Sequence, residues 1–248
     1  MYDDYLTELQ MRADEPGEAG CAAEQLLALR DAATRRTDCV FLELGTDRGQ
    51  STKAILNALE GTNGLLVSVD INDCSAAGGG DNWIFVQCNS LDAETIFKAA
   101  PRLKEGIDCL YIDSLHEEEH VLKELYTFYP YIKQGGEIFF DDIDSTPYMR
   151  GRRKDSVAME VANRRILRLV RDVFYDNLDQ LRLDIRYGST GLAILKKVSP
   201  LGASLRPRRR LVGERRFITF WTWMYKLGRR QAYVSRGDGS DTLINPNG

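Results

Sequence analysis

The stretch Cys-Leu-Tyr-Ile-Asp-Ser-Leu-His-Glu-Glu-Glu-His, residues 109–120, holds both histidines of the chain. His116 to His120 matches the HExxH pattern, in which two imidazoles one helical turn apart bind zinc. Such a site needs a third protein ligand further on. No third histidine exists, and nothing in the pattern singles out an acid such as Glu124 or Glu137. Three aspartates offer a different chemistry. Asp113 closes the apolar run 107–113, while Asp141 and Asp142 follow Phe139-Phe140. At the ends of parallel strands these groups converge on one crevice. Carboxylates that close repel, and raise one another's pKa, unless a cation lies between them. All-oxygen ligation favours a hard ion, Mg²⁺ before Mn²⁺ or Ca²⁺. The plain alternative is helix caps or solvated acids, yet an Asp-Asp pair after a buried strand has little structural use. Ser114, with Glu117 three residues on, reads as a capping box. That places His116 in a first helical turn beside Asp113, with an ordinary capping-turn histidine as its alternative. His120, one turn deeper, reads as a residue behind the site or at the surface.

A second constellation is Phe-Leu-Glu-Leu-Gly-Thr-Asp-Arg-Gly-Gln-Ser-Thr, residues 41–52. Gly45 and Gly49 lie where a strand ends and a helix opens. Without a Cβ they let backbone approach a ligand, and the helix N-terminus favours an anion. Their spacing is looser than the dinucleotide fingerprint. Asp70, 21 residues past Gly49, ends the next apolar run, where it can accept from ribose hydroxyls. The structural alternative is a tight turn and an exposed strand-end acid.

The elements that must hold these groups follow from periodicity. Apolar runs at 39–45, 64–73, 83–90, 107–113 and 135–144 alternate with helical spacing at 20–36, 51–60, 91–103 and 114–132. Short buried-type strands alternating with helices give βαβ units and a parallel sheet. A helix at about 156–178 and two strands around Gly-Ser-Thr-Gly within 181–198 complete the pattern. The expected architecture is α/β: a Rossmann-like, doubly wound, mostly parallel seven-stranded sheet with a C-terminal antiparallel hairpin strand. Residues 1–36 read as an N-terminal helical cap, 37–198 as the main domain, and 199–248 as a basic, aromatic extension.

With the loop, the acid and the hairpin in place, the chain resembles the class I S-adenosylmethionine-dependent methyltransferases over about residues 37–198. The resemblance implies that Glu43, Gly45, Thr46, Gly49 and Ser51 surround the methionine half of the cofactor. It also implies that Asp70 binds ribose, Ser90 the adenine, and that Asp113 borders the same cofactor. Asp113 with Asp141, 28 residues later, and Asp142 is similar to the metal triad of metal-dependent O-methyltransferases. These include the catechol and caffeoyl-CoA type and bacterial enzymes acting on sugar hydroxyls of natural products. The catechol type carries Asn where this chain has Asp142, and a lysine base where it has His116. Histidine at that place resembles the macrolide-sugar branch and implies a base, whose ordinary pKa near 6.5 suits neutral pH. The implied function is methylation of a hydroxyl on a sugar or glycosylated small molecule. A phenolic acceptor, a cephalosporin-hydroxylase-like activity and a non-catalytic cofactor-binding role are the alternatives.

Composition excludes other classes. With 43% hydrophobic and 28% charged residues and a net charge of −4, the 248 residues read as an ordinary globular protein. The acidic start is no secretory signal, no apolar run reaches the roughly 20 residues of a membrane span, and five cysteines without a CxxC pair suggest reduced thiols in a cytoplasmic protein. The segment 145–154, with Tyr148, Arg150, Arg152 and Arg153, follows the metal strand and reads either as a substrate-contacting lid or as a solvated loop. From Pro200 onward the chain carries +7, leaving −11 on the rest. Its aromatic centre, 217–227, reads as a core or subunit-packing segment, with an anionic membrane surface or a polyanion as alternatives. A homo-oligomer acting on a small-molecule hydroxyl acceptor is expected, without a nucleic-acid or membrane partner.

Overall fold

The computed structural model describes residues 3–209, 232–235 and 241–244. The chain divides into two compact units, Met1–Arg209 and Arg210–Gly248. In the first, two helices, α1 (Asp3–Ala13) and α2 (Glu18–Thr34), precede the alternating part. That part runs β1 (Val40–Leu44), α3 (Gln50–Leu59), β2 (Leu65–Asp70), β3 (Trp83–Gln87), α4 (Ala93–Ala99), β4 (Ile107–Ile112), α5 (Glu118–Phe128) and β5 (Ile132–Phe140). It ends with α6 (Val157–Asp176), β6 (Leu181–Arg186) and β7 (Leu192–Lys197). In the second unit β8 (Ala232–Ser235) pairs antiparallel with β9 (Asp241–Ile244). The aromatic segment 217–227 lies outside the described residues.

Seven strands form one sheet in the order β3-β2-β1-β4-β5-β7-β6. β1 to β5 are parallel, and β7 runs antiparallel between β5 and β6. This is the expected Rossmann-like, doubly wound sheet with its antiparallel closing strand. Every residue of β1, Val-Phe-Leu-Glu-Leu, is buried, as a strand covered on both faces requires. On one face α2 and α3 set Leu29, Ala32, Ile55 and Leu59 against Phe41 and Phe139, whose rings stack at 6.4 Å. On the other, α6 buries Ile166, Leu169, Val170 and Val173, the spacing of one helical stripe, against Ile138 and Phe140. The edge strand β6 alternates buried and more exposed residues instead.

The strand order reverses between β1 and β4, so the crevice at their carboxyl ends is the topological switch point where this architecture takes ligands. Gly45 follows β1, Asp113 follows β4, and Asp141-Asp142 follow β5. The Asp113 N–H donates to Leu44 O (2.8 Å) and the Asp141 N–H to Ile112 O (3.2 Å), which locks these strand ends together. Because β7 is antiparallel, the turn 187–191 leading into it lies at the same edge, its Ala193 paired with Phe140. No helix among the described residues is long and apolar enough to cross a membrane.

Candidate active site

Donor atoms of Asp113, His116 and Asp142 lie within 4.8 Å of one another. His116 sits between the two carboxylates, with Nε2 at 3.1 Å from Asp113 Oδ1 and Nδ1 at 2.5 Å from Asp142 Oδ2. Asp142 takes a left-handed backbone, φ 56°, which aspartate tolerates better than most residues. Asp141 sits beside this group with both oxygens engaged. Its Oδ1 accepts from Thr190 Oγ1 (2.8 Å) and from the Asp142 N–H (2.7 Å). The Tyr111 hydroxyl donates to its Oδ2 (2.7 Å) and also lies 3.1 Å from Asp113 Oδ2.

The electrostatics follow from this crowding. Burial and the charge of Asp141 raise the Asp113 pKa to about 7, against the lowering effect of His116. Burial and the charge of Asp142 raise Asp141, although three donors oppose them. Burial alone would lower the His116 pKa, but its hydrogen bonds to two carboxylates and their charge lift it to about 10. The imidazole is therefore a cation here at neutral pH, in the place where the sequence calls for a metal.

The capping box does not form. Helix α5 begins at Glu118, with Glu117 as its N-cap residue and no side-chain cap. Residues 114–117 are a loop, so His116 precedes the helix instead of lying in its first turn. Ser114 Oγ donates instead to Glu124 Oε1 (2.5 Å), a fully buried carboxylate. His120 is no surface residue either. Its Nε2 lies 2.9 Å from Ser90 Oγ and 3.2 Å from Glu124 Oε1, and the side chain is 14% exposed. The zinc pattern thus dissolves: His116 faces Asp113 and Asp142, while His120 faces Ser90 and Glu124.

The glycine loop is shaped by protein neighbours. A Cβ on Gly45 would collide with the carbonyl oxygen of Asp113, and one on Gly49 with Ala77. Asp70 closes the loop from the other side, accepting from the N–H groups of Thr46 (3.0 Å), Asp47 (3.2 Å) and Asn72 (2.9 Å). Burial would raise its pKa, but those three donors, with the Cys74 thiol, outweigh it and hold it below the usual range. Glu43 is fully buried beneath the loop. Its carboxyl accepts from Ser51 (2.5 Å), Thr52 (2.8 Å) and Ser68 (2.5 Å), and burial raises its pKa despite them. Its oxygens are thus spent on the scaffold. Thr46 Oγ1, by contrast, is buried without a hydrogen-bond partner among the described residues.

Two cavities meet at Asp113. One of about 320 Å³ is lined by Gly45, Asp70, Ser90, Asp113 and His120, with Ile71 and Leu115 at its apolar side. The other, about 240 Å³, is lined by Gln25, Thr46, Ser51, Tyr111, Asp141 and Thr190 among others. Of the segment 145–154, Tyr148 is half-buried; burial raises its pKa, followed by the charges of Asp142 and Asp141. Arg150 and Arg152 are exposed, and Arg153 pairs with Glu18 of α2 (3.0 Å). Sequence reasoning missed Tyr111, Thr190 and Gln25. Tyr111 is two residues before Asp113 and so on the same strand face. Thr190 is brought in by the antiparallel sense of β7.

Residues 42–143 match the family model described as a methyltransferase domain. Over those residues the chain is similar to a methyltransferase domain. An uncharacterized protein, R132, of Acanthamoeba polyphaga mimivirus is 29% identical to this chain over 119 residues, covering 43% of this chain and 52% of that protein. The chain thus spans about half the length of the curated relative it matches. Among solved structures, cofactor-bound Rv0187 from MTB superposes with a TM-score of 0.53 at 19% identity, covering 79% of this chain and 89% of that one. MycE, a methyltransferase from the mycinamycin biosynthetic pathway solved with Mg, SAH and mycinamycin VI, gives 0.52 at 17% identity, covering 86% and 57%. At these identities the two structures establish a shared fold.

Proposed function

We propose that this protein moves the methyl group of S-adenosylmethionine to a hydroxyl of a sugar or glycosylated small molecule, with a divalent cation in the crevice. The observation that carries the reading is the convergence of Asp113, His116 and Asp142 where the two cavities meet. The larger cavity fits the nucleoside end of the cofactor. Asp70, ionised, offers acceptors for ribose hydroxyls; Ser90 offers a hydroxyl; Ile71 and Leu115 offer apolar surface for a base. Ser51 and the unpartnered Thr46 Oγ1 line the smaller cavity, as the methionine half requires.

The donor set also fits a metal. Burial and mutual repulsion raise the pKa values of Asp113 and Asp141, and a single imidazolium bridges Asp113 and Asp142. Asp113 and Asp142, with Asp141 beside them, would hold a hard divalent ion, Mg²⁺ first and Mn²⁺ or Ca²⁺ next. A cation so held supplies positive charge that lowers the pKa of an acceptor hydroxyl and orients it. With the carboxylate charge balanced otherwise, His116 no longer needs its proton and can take one from the acceptor. In the transfer a C–O bond forms as the sulfonium C–S bond breaks in line, leaving a methyl ether, S-adenosylhomocysteine and protonated His116. On this reading Tyr148, whose phenol feels the charges of Asp142 and Asp141, would meet the acceptor, and the exposed Arg150 and Arg152 would meet its polar substituents. MycE, with Mg and mycinamycin VI in its complex, agrees with this reading without deciding it.

The test is methyl-labelled transfer to a panel of sugars, glycosides and phenols, with Mg²⁺ or Mn²⁺ and with excess chelator. Turnover requiring the ion, and abolished in Asp142→Asn and Asp141→Asn while cofactor binding persists, is the expected outcome. Full turnover in chelator would sink the metal role.

A further inference from the structure

Tyr111 is a phenol where the fold asks only for a ring. It is 3% exposed in the middle of the sheet, and its register partner on β5 is Phe139, a phenylalanine in equivalent surroundings. The added oxygen lies against two carboxylates, 2.7 Å from Asp141 Oδ2 and 3.1 Å from Asp113 Oδ2. It therefore ties the end of β4 to the end of β5 through side chains, just above the point where their backbones are hydrogen-bonded. From the opposite side Thr190 Oγ1 grips the other oxygen of Asp141 at 2.8 Å. A buried hydroxyl is costly to desolvate unless it is used, and this one is used only on acids of the crevice.

We propose that Tyr111, assisted by Thr190, is a positioning residue for the cation site. Its hydroxyl fixes the separation and rotation of the Asp113 and Asp141 carboxylates, which would otherwise turn apart under their mutual repulsion. A divalent ion then meets acids already in place. Groups hydrogen-bonded to a metal's ligands act on affinity in this way, by orienting the ligand and holding its charge. The inference rests on the metal-dependent reading above and adds to it the residues that hold the acids in register.

The experiment uses the full chain and Mn²⁺ as the probe, titrated and followed by the EPR signal of the free ion. Tyr111→Phe keeps the ring and removes one oxygen, and should weaken Mn²⁺ binding by ~10–100-fold. Thr190→Val should shift it in the same direction, and serves in place of the first variant should that one misfold. Both side chains line the smaller cavity, so S-adenosylhomocysteine affinity, measured by calorimetry in chelator, is the control: it should change far less than Mn²⁺ affinity in both. A purely structural hydroxyl would give a lower melting temperature with Mn²⁺ affinity intact, and that result overturns the proposal. Wild-type protein that binds no Mn²⁺ removes the metal-dependent reading and this inference together. Wild-type binding matched by both variants removes this inference alone.

Discussion

A β-carbon on Gly45 has nowhere to go. It would meet the carbonyl oxygen of Asp113, which cannot swing aside as a side chain can, and the residue's φ of 98° is closed to L side chains. The glycine thus serves the closure of β1 against β4, and through it the position of Asp113. Gly45→Ala should cost about 2 kcal/mol or more of stability, since clash and strain both act on buried backbone. Urea unfolding measures the loss, and an unchanged midpoint would refute the account. At this scale the sequence was legible wherever a residue type was out of place for its surroundings. Asp-Asp after a buried strand and a glycine between strand and helix are such cases. Tyr111 and Thr190 were not, because a tyrosine in a strand and a threonine in a turn are ordinary until their distant partners are known. Nor could the sequence show that His116 faces two carboxylates at once and is held as a cation.

Elements were readable to the extent that their periodicity was clean. All seven strands of the sheet were, because runs such as Val-Phe-Leu-Glu-Leu admit little else. Helix α1 was not, since among its described side chains Leu9 is its one buried residue, and only the half-buried Tyr5 and Ala13 join it in a short stripe. The start of α5 was misread because Ser114 and Glu117 have capping chemistry, while burial drew Ser114 to Glu124 instead. Strand β7 holds a further case. Its period of two turns Lys196 outward and Lys197 into the sheet's covered face, where Nζ donates to Tyr129 O (3.0 Å) and lies 4.3 Å from the Tyr129 ring centroid. Burial lowers its pKa to about 8 from an ordinary 10.5. The unfolded chain then binds more protons than the folded one between those values. Lys197 therefore contributes stability that is present above pH 10.5 and lost as pH falls through 8. Lys197→Met should flatten the rise in melting temperature between pH 8 and 10.5 relative to wild type. Parallel profiles for the two proteins would contradict the burial of a charge there.

At the scale of the whole molecule, the candidate site depends on chain that the family resemblance does not reach. Residues 199–209 run across α5 and α6 as a strap. Tyr126 donates to Arg206 O (2.6 Å), Arg206 N–H to Asn177 Oδ1 (2.9 Å), and the Arg206 guanidinium grips both oxygens of Asp179 at 2.6 Å. Leu205 is buried in the main core. Arg208, 9% exposed, reaches Asp172 of α6 (2.7 Å) and Glu118 in the first turn of α5 (2.6 Å). That last contact matters for the candidate site, because α5 opens directly after the His116 loop and carries His120, which lines the larger cavity, with Glu124 paired to it. Surface ion pairs contribute little, but withdrawing a guanidinium from buried acids costs about 3 kcal/mol or more. A chain ending at Ser199 should accordingly melt well below one ending at Arg209, and bind S-adenosylhomocysteine more weakly. Within the longer chain, Arg208→Ala should reproduce part of both effects. Equal melting temperatures for the two truncations would mean that the strap is passive and that the sheet alone holds α5 against the site.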